Sequence, residues 1–248
     1  LALLMAQEGT GVLAVDADPD ANLASCLGVP SWLQRREVVT IGTHRQLIEE
    51  RTGAKVRQFG QMFSLNPQVS DIADGYAYTH NGVSLLVLGA VSQGGGGCAC
   101  PENVILRALV SELVLNRDQA LVLDMEAGIE HLGRATSEGV DTMLIVTEPG
   151  QRSVESTQRV RDRAAEIGIT DVRLVVNKVM SADDEAFVKA ALPDMPLAGI
   201  IPFAPEIRAS DRDGTSIVDN LPEELEKAFN QLLQNVTNQS IQNLKSKI

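Results

Sequence analysis

Six short apolar runs, separated by stretches with helical periodicity, constrain the fold more than any other feature of the sequence. Strands that are apolar along their whole length are typical of sheets covered on both faces. Alternation of such strands with helices predicts an α/β fold, specifically a doubly wound, mostly parallel sheet flanked by helices with right-handed crossovers. The runs are Gly11–Asp16, Val83–Leu88, Ala120–Asp124, Thr142–Val146, Val172–Val176 and Leu197–Ile201, and the clearest helical stretches are Glu102–Leu115, Ser153–Ile167 and Asp183–Ala191.

The length and the charge of the chain limit its organisation and its partners. We expect residues 1–248 to form a single α/β domain, with residues 29–81 as a helical insertion or an interaction surface. A formal net charge of −12 disfavours binding to nucleic acid or to an anionic membrane. Three cysteines are typical of a protein of the reducing cytoplasm. The tail from Asn238 to Ile248 reads as a solvated terminus in preference to an amphipathic anchor, since two lysines make a weak basic face.

Acidic residues follow two of the predicted strands. Asp16, Asp18 and Asn22 lie at and just after the end of the first run, and Asp124 ends the third. Because ligands bind beyond the carboxyl ends of the strands in open α/β sheets, these residues predict a magnesium and nucleotide site. An acid there can also orient an attacking water. Ordinary turn and helix-cap chemistry explains the same residues equally well at this point.

A cysteine pair after a glycine run is the second candidate site. Cys98 and Cys100 follow four glycines and precede Pro101, which can start a helix. Alternate residues of an extended segment face the same way, so both sulfurs can face one soft metal ion. A symmetric dimer would bring two such pairs together into a site of four sulfurs. Three other readings stay open, namely a flexible loop, small buried apolar side chains and a strained disulfide.

Two motifs carry a resemblance to a known family. The segment D-A-D-P-D-A-N-L-A resembles the switch I region of dimeric ATPases that include the nitrogenase iron protein, the arsenite-pump ATPase and cell-division-site proteins. Together with G-G-G-G-C-A-C-P-E-N, it makes the chain similar to the carbon monoxide dehydrogenase maturation ATPases, including the acetyl-CoA synthase accessory proteins. The likeness runs from Leu1 to about Asn220. It implies a P-loop NTPase fold of the deviant Walker type.

The resemblance assigns a role to each candidate residue. Asp18 would position or activate the attacking water, Asp16 and Asn22 would support magnesium and the switch geometry, and Asp124 would be the switch II acid. The remaining assignments place Asn177 at the purine, Pro202 against the base, and Cys98 and Cys100 on nickel or zinc across a homodimer. A guanine site would require N-K-x-D, but Met180 stands where that aspartate would be.

The function implied by the resemblance is that of an ATP-dependent metallochaperone. It would bind ATP or ADP, Mg²⁺ and Ni²⁺ or Zn²⁺, and would serve a client carbon monoxide dehydrogenase or acetyl-CoA synthase, with neither nucleic acid nor membrane as partner. The alternatives are a positioning ATPase that acts on DNA or a membrane, and a regulatory module that does not hydrolyse nucleotide.

One element of the family pattern is missing from the sequence. The phosphate-binding motif G-x-x-x-x-G-K-[ST] does not occur, and the run Gly94–Gly97 is followed by neither the lysine nor the hydroxyl residue. We therefore expect that roughly twenty upstream residues, a strand, a loop and half a helix, complete the domain. The 248 residues alone should bind nucleotide poorly and hydrolyse it very slowly.

Overall fold

In the part of the chain that the structure describes, most of the strands are parallel and most are followed by a helix. The structure is a computed structural model, and it describes residues 1–18, 20–55, 60–89, 101–116, 119–125, 139–216 and 221–246. The strands are β1 Val12–Asp16, β2 Tyr78–His80, β3 Val83–Val87, β4 Ala120–Asp124, β5 Met143–Thr147, β6 Val172–Val179 and β7 Leu197–Pro202. All six predicted runs form strands, and the predicted α/β class is confirmed.

Helices fill the connections between the strands. The stretches predicted as the clearest helices, residues 102–115, 153–167 and 183–191, all form helices, with ends no more than two residues from the predicted ones. The helices are α1 Ala2–Gln7, α2 Leu23–Cys26, α3 Ser31–Glu37, α4 Arg45–Thr52, α5 Ile72–Tyr76, α6 Pro101–Asn116, α7 Gln151–Ile167, α8 Ala182–Ala191, α9 Pro205–Asp213 and α10 Glu223–Ser246.

The described strands form two hydrogen-bonded sheets. The first has the order β2-β3-β1-β4, and all its pairs are parallel except the antiparallel pair of β2 and β3. The second has the order β5-β6-β7 and is parallel throughout. The sequence predicted a single sheet, and the division falls between β4 and β5.

Strand β1 is buried on both faces of the first sheet. Its side chains alternate between two apolar clusters, because successive residues of a strand point to opposite faces. Leu13 and Val15 pack in one cluster with α4 and α6, and Val12 and Ala14 pack in the other with α1 and α2. All five residues of the strand are buried, as its apolar sequence predicts.

Strand β6 has the corresponding position in the second sheet. Leu174 and Val176 pack against α7 and α8, and Val175 packs against α10 on the opposite face. Ala164, from α7, belongs to the same apolar cluster as β1 and α6. The two sheets are therefore joined through their helices although they share no hydrogen-bonded strands among the described residues.

Residues 29–81, interpreted above as an insertion, contain α3, α4, α5 and β2. Ile41, Ile48 and Ile72 from this region are fully buried in the cluster that also covers β1. The region ends in a two-residue hairpin turn, in which Asn81 and Gly82 have φ values of 48° and 78°. Positive φ at both positions is the geometry of a type I′ turn, which favours Asn-Gly.

The last helix continues into the tail that the sequence analysis singled out. Helix α10 runs from Glu223 to Ser246. Among the helices that the structure describes, none combines the length and the apolar character needed to span a bilayer.

Candidate functional site

Asp16 organises the loop that follows β1. Its side chain is completely buried, and Oδ2 accepts a hydrogen bond of 2.8 Å from the Leu23 N–H while Oδ1 accepts one of 3.3 Å from the Asp18 N–H. Because Leu23 is the first residue of α2, Asp16 acts as the cap of that helix. Asn22 occupies the N-cap position, but its side chain makes no capping hydrogen bond.

Asp18 lies in a tight turn between Asp16 and α2. Its Oδ1 accepts a hydrogen bond of 2.8 Å from the Asp20 N–H, and its carbonyl accepts one of 3.1 Å from the Ala21 N–H. Ala21 has a φ of 37°, which is uncommon for a residue with a Cβ. The turn brings the chain back over Asp16 and leaves the Asp18 carboxylate partly exposed.

Asp16 and Asp124 lie side by side on neighbouring parallel strands. Their Cα atoms are register partners at the ends of β1 and β4. The pKa of Asp16 is raised chiefly by burial, and the negative charge of Asp18 adds to this, while the N–H groups of Leu23 and Asp18 oppose it. The pKa of Asp124 is raised by the loss of water around it and by the charges of Asp16 and Asp18. A cation at this edge would relieve the repulsion.

The donor set fits magnesium bound together with a phosphorylated ligand. Within the described ranges, no group of three or more His, Cys, Asp and Glu side chains is arranged to hold a metal ion without further ligands. Magnesium is usually held by one or two carboxylates, with waters and substrate phosphates completing the octahedron. The pair Asp16 and Asp124 matches that requirement.

The two other predicted nucleotide residues belong to the second sheet. Asn177 is near the end of β6, and Pro202 ends β7, where its register partner is Val179. The Asn177 Oδ1 accepts a hydrogen bond of 3.0 Å from the Lys178 N–H, and Lys178 has a φ of 58°. The structure thus places the six described site residues in two groups, one on each sheet.

An ion pair beside Asn177 is a feature that sequence analysis did not identify as part of the site. The Lys178 Nζ lies 2.5 Å from a carboxylate oxygen of Glu148, which directly follows β5. The pair links the ends of β5 and β6. An acid after a strand was the signal that singled out Asp16 and Asp124, and the same signal would have found Glu148.

A cavity lies between β4 of the first sheet and β5 of the second. It has a volume of about 1020 Å³, and its lining includes four of the five residues of β4 and residues 143–146 of β5. Asp124 is one of its lining residues, so the cavity reaches the acidic pair. We call this space the inter-sheet cavity.

The cysteine pair lies outside the described residues. Cys98 and Cys100 fall between residues 89 and 101, and Pro19 of the acidic loop is likewise not described. The predicted thiolate site therefore stays a prediction. The third cysteine, Cys26, ends α2 and is exposed.

Known sequences resemble the chain along most of its length. The family model of the CobQ/CobB/MinD/ParA nucleotide binding domain matches residues 1–217. The carbon monoxide dehydrogenase accessory protein CooC of Rhodospirillum rubrum is 40% identical over 228 residues, which are 92% of this chain and 86% of that protein. An uncharacterized ATP-binding protein of Methanocaldococcus jannaschii is 39% identical over 234 residues, 93% of this chain and 89% of the relative.

Solved structures resemble the chain in fold. The MinC:MinD cell division protein complex of Aquifex aeolicus aligns with a TM-score of 0.66 at 19% identity, covering 96% of this chain and 87% of that chain. A ParA family ATPase from Chlorobium tepidum aligns with a TM-score of 0.66 at 17% identity, covering 94% and 88%. At these identities the likeness shows a common architecture.

Proposed function

Because the chain belongs to the CobQ/CobB/MinD/ParA nucleotide-binding family, and within it to the carbon monoxide dehydrogenase accessory ATPases, we propose that it is an ATP-dependent metallochaperone. In this proposal a cytoplasmic homodimer binds nickel or zinc and delivers it to a carbon monoxide dehydrogenase or an acetyl-CoA synthase. The cargo metal is the substrate of the delivery step, and ATP hydrolysis times its release.

The observation that carries the proposal is that Asp16 and Asp124 lie side by side at the ends of two neighbouring parallel strands. Both carboxylates have raised pKa values, which means that their ionised forms are disfavoured in the folded chain. A cation bound between them would stabilise those ionised forms. When bound, Mg²⁺ would neutralise charge on the nucleotide phosphates at this edge. The contact with Leu23 means that any shift of Asp16 would be passed to α2.

Asp18 is the residue that we assign to the attacking water. It is partly exposed and lies two residues after Asp16, in the loop that follows β1. In this role its carboxylate orients a water whose oxygen bonds to the γ-phosphorus as the bond to the β–γ bridging oxygen breaks, which yields ADP and phosphate. Asn22, exposed at the start of α2, would support the switch geometry during this step.

Asn177 and Pro202 are assigned to the base of the nucleotide. They belong to the adjacent strands β6 and β7, and in this proposal one flat ring contacts both. The Oδ1 of Asn177 is already used by the Lys178 N–H, which leaves Nδ2 to donate to a purine nitrogen. Met180 in place of an aspartate favours adenine over guanine in this arrangement.

Cys98 and Cys100 are assigned to the cargo metal. One chain offers two thiolates at this motif, and a soft metal ion in a closed site takes four ligands. A site shared between two chains makes metal affinity depend on the geometry of the dimer, so a nucleotide-driven change in that geometry would change affinity.

Metal content per chain, measured together with mass in solution, tests the proposal. We expect one nickel or zinc ion per two chains, and loss of that metal in both Cys98→Ser and Cys100→Ser. Cys26→Ser is the matched control, because it removes a thiol elsewhere in the chain and should keep the metal. Full metal affinity in both single variants of the pair would show that the metallochaperone assignment is wrong.

A further inference from the structure

Lys178 has a backbone conformation that is uncommon for a residue with a side chain. Its φ of 58° lies in the left-handed region, where the Cβ of an L-amino acid comes too close to a carbonyl oxygen. Among the described residues other than glycine, Ala21 and Asn81 also have a positive φ, but Lys178 alone of the three lies within a strand. Residues held in such conformations are concentrated at functional sites, where their surroundings hold them in place.

The same position is a β-bulge in the pairing of β6 with β7. The two strands pair at Val176 and again at Val179, whose partner is Pro202. Over that interval β6 uses one residue more than β7, so Asn177 and Lys178 stand opposite a single residue. We call these two residues the β6 bulge. In a regular pairing Lys178 would be the partner of Pro202, so the bulge decides which residues of β6 lie beside it.

A second irregularity in the same pair of strands has a different explanation. Strand β7 has one extra residue, Ala198, between Leu197 and Gly199. The Ala198 carbonyl accepts a hydrogen bond of 2.8 Å from Nδ2 of Asn235, so helix α10 satisfies it. The β6 bulge lies instead at the carboxyl end of the sheet, where the purine is assigned, and bulges beside functional sites commonly re-aim a side chain.

Three contacts surround the β6 bulge. The Lys178 N–H donates to the Asn177 Oδ1 at 3.0 Å, so Nδ2 remains the donor offered to a ligand. Beyond the bulge the ladder resumes, because the Phe203 N–H donates to the Val179 carbonyl at 2.9 Å. The third contact is the ion pair of 2.5 Å between the Lys178 Nζ and Glu148, which joins the bulge to the end of β5.

We propose that Glu148 and Lys178 are positioning residues of the purine site assigned above. Their ion pair holds the β6 bulge, and the bulge sets the place of Asn177 relative to Pro202. The inference rests on the proposed function for its ligand, an adenine nucleotide. Both partners are about half exposed, and exposed pairs add little to the stability of a whole fold. A small contribution is sufficient here, because it biases one residue between two backbone conformations.

Substitutions can separate the ion pair from the backbone conformation that it holds. Glu148→Gln removes the charge that Lys178 contacts and should loosen the bulge. Adding Lys178→Gly should restore the bulge, because glycine adopts a positive φ without steric cost. The matched control is Glu185→Gln, which breaks an exposed ion pair with Lys189 in α8.

Hydrogen exchange in the nucleotide-free chain reports the state of the bulge. The reporter is the Phe203 N–H, which donates to the Val179 carbonyl just after the bulge. The internal reference is the Leu174 N–H, which donates to the Pro196 carbonyl before it. We expect Glu148→Gln to speed exchange at Phe203 about fivefold, with the double variant within about twofold of the parent. Exchange at Leu174 should be the same in all variants, and the control should match the parent throughout.

Binding of ADP connects the bulge to the ligand. The titration is followed by NMR through the side-chain amide of Asn177, which detects weak binding. We expect Glu148→Gln to weaken ADP binding about fivefold and the double variant to recover most of that loss. Inorganic pyrophosphate, which has no base, should give the same response in all variants.

Two results would overturn the inference. One is unchanged exchange at Phe203 in Glu148→Gln. The other is a double variant that remains as loose, or binds ADP as weakly, as Glu148→Gln alone, because Lys178 would then act through its charge and not through the backbone. If the bulge loosens and recovers as expected but ADP leaves the Asn177 amide of the parent unchanged, the ion pair is confirmed as positioning Asn177 and the purine assignment of the proposed function is rejected.

Discussion

The carboxylate of Asp124 lies at the edge of the inter-sheet cavity, where it repels Asp16 and Asp18. Its raised pKa means that the ionised form is less favourable in the folded chain than in the unfolded one. The associated stability is fully present below the ordinary aspartate pKa of about 3.9 and is lost as the pH rises through the raised value. In the magnesium-free protein we therefore expect Asp124→Asn to increase the free energy of unfolding at pH 7. The gain should be at most about 1 kcal/mol, because the residue is exposed.

Urea unfolding at a series of pH values from 7 to 4 measures this effect. The difference between Asp124→Asn and the parent should shrink towards pH 4, since the parent carboxylate becomes protonated like its neutral replacement. Asp194→Asn removes one negative charge from an exposed turn and serves as the control for the net charge of −12. A gain that persists unchanged at pH 4, or a loss at pH 7, would contradict the repulsion argument.

The sequence located the acidic residues but did not show which of them caps α2. Asn22 stands directly before α2 and is a favoured N-cap residue type, yet Asp16 receives the Leu23 N–H. That contact spans seven residues and depends on the tight turn around Asp18. Local preferences cannot anticipate it, because the turn exists only when β1 is already in the sheet.

At the scale of the elements, hydrogen bonds of Arg173 connect α10 to the start of β6. Its side chain is 4% exposed; it donates to the Asp171 carboxylate through Nε at 2.7 Å and to the Asn235 carbonyl of α10 at 2.7 Å. We expect Arg173→Met to lower the free energy of unfolding by about 2 kcal/mol. Removing one partner of a fully buried ion pair costs about 3–5 kcal/mol. The expected cost is lower here because Asp171 retains some contact with water.

The pH dependence of this variant follows from Asp171. Burial alone would raise the pKa of Asp171, but hydrogen bonds from Arg173 and Thr142 and the charge of the guanidinium lower it. Its stabilisation is therefore present above the ordinary aspartate pKa and is lost as the pH falls through the lowered value. The deficit of Arg173→Met should be largest near pH 7 and smaller under acid conditions. The control is Lys189→Met, which breaks an exposed ion pair with Glu185 and should lower the free energy of unfolding by no more than about 0.5 kcal/mol. Equal losses in the two variants would refute the anchoring role of Arg173.

The elements that the sequence predicted are those with long or uniform patterns. Helix α7 has a clear period over 17 residues, and the apolar runs are short and alternate with helical stretches, as the strands of an α/β sheet do. Strand β2 was missed because it has only three residues, although the Asn81-Gly82 dipeptide that follows is a strong hairpin signal. The division between β4 and β5 could not be predicted, because apolar periodicity reports burial and does not specify which strands pair.

At the scale of the whole molecule, the candidate site is spread over two sheets. The acidic pair belongs to the first sheet, and Asn177 and Pro202 belong to the second, with the inter-sheet cavity between β4 and β5. A ligand that contacts both groups therefore senses how the two sheets are joined.

The proposed thiolate site shared between two chains leads to a further prediction at this scale, about the dependence of metal binding on protein concentration. If Cys98 and Cys100 from two chains hold one metal ion, dissociation of the dimer leaves two thiolates per chain and weakens binding steeply. We expect the fraction of chains with bound nickel, measured against a fixed concentration of chelator, to fall as the protein is diluted about a hundredfold. The fall should coincide with the loss of dimer seen by mass in solution. Metal occupancy that stays constant while the dimer dissociates would place all ligands within one chain, and the dimer would then have to be explained by some role other than metal binding.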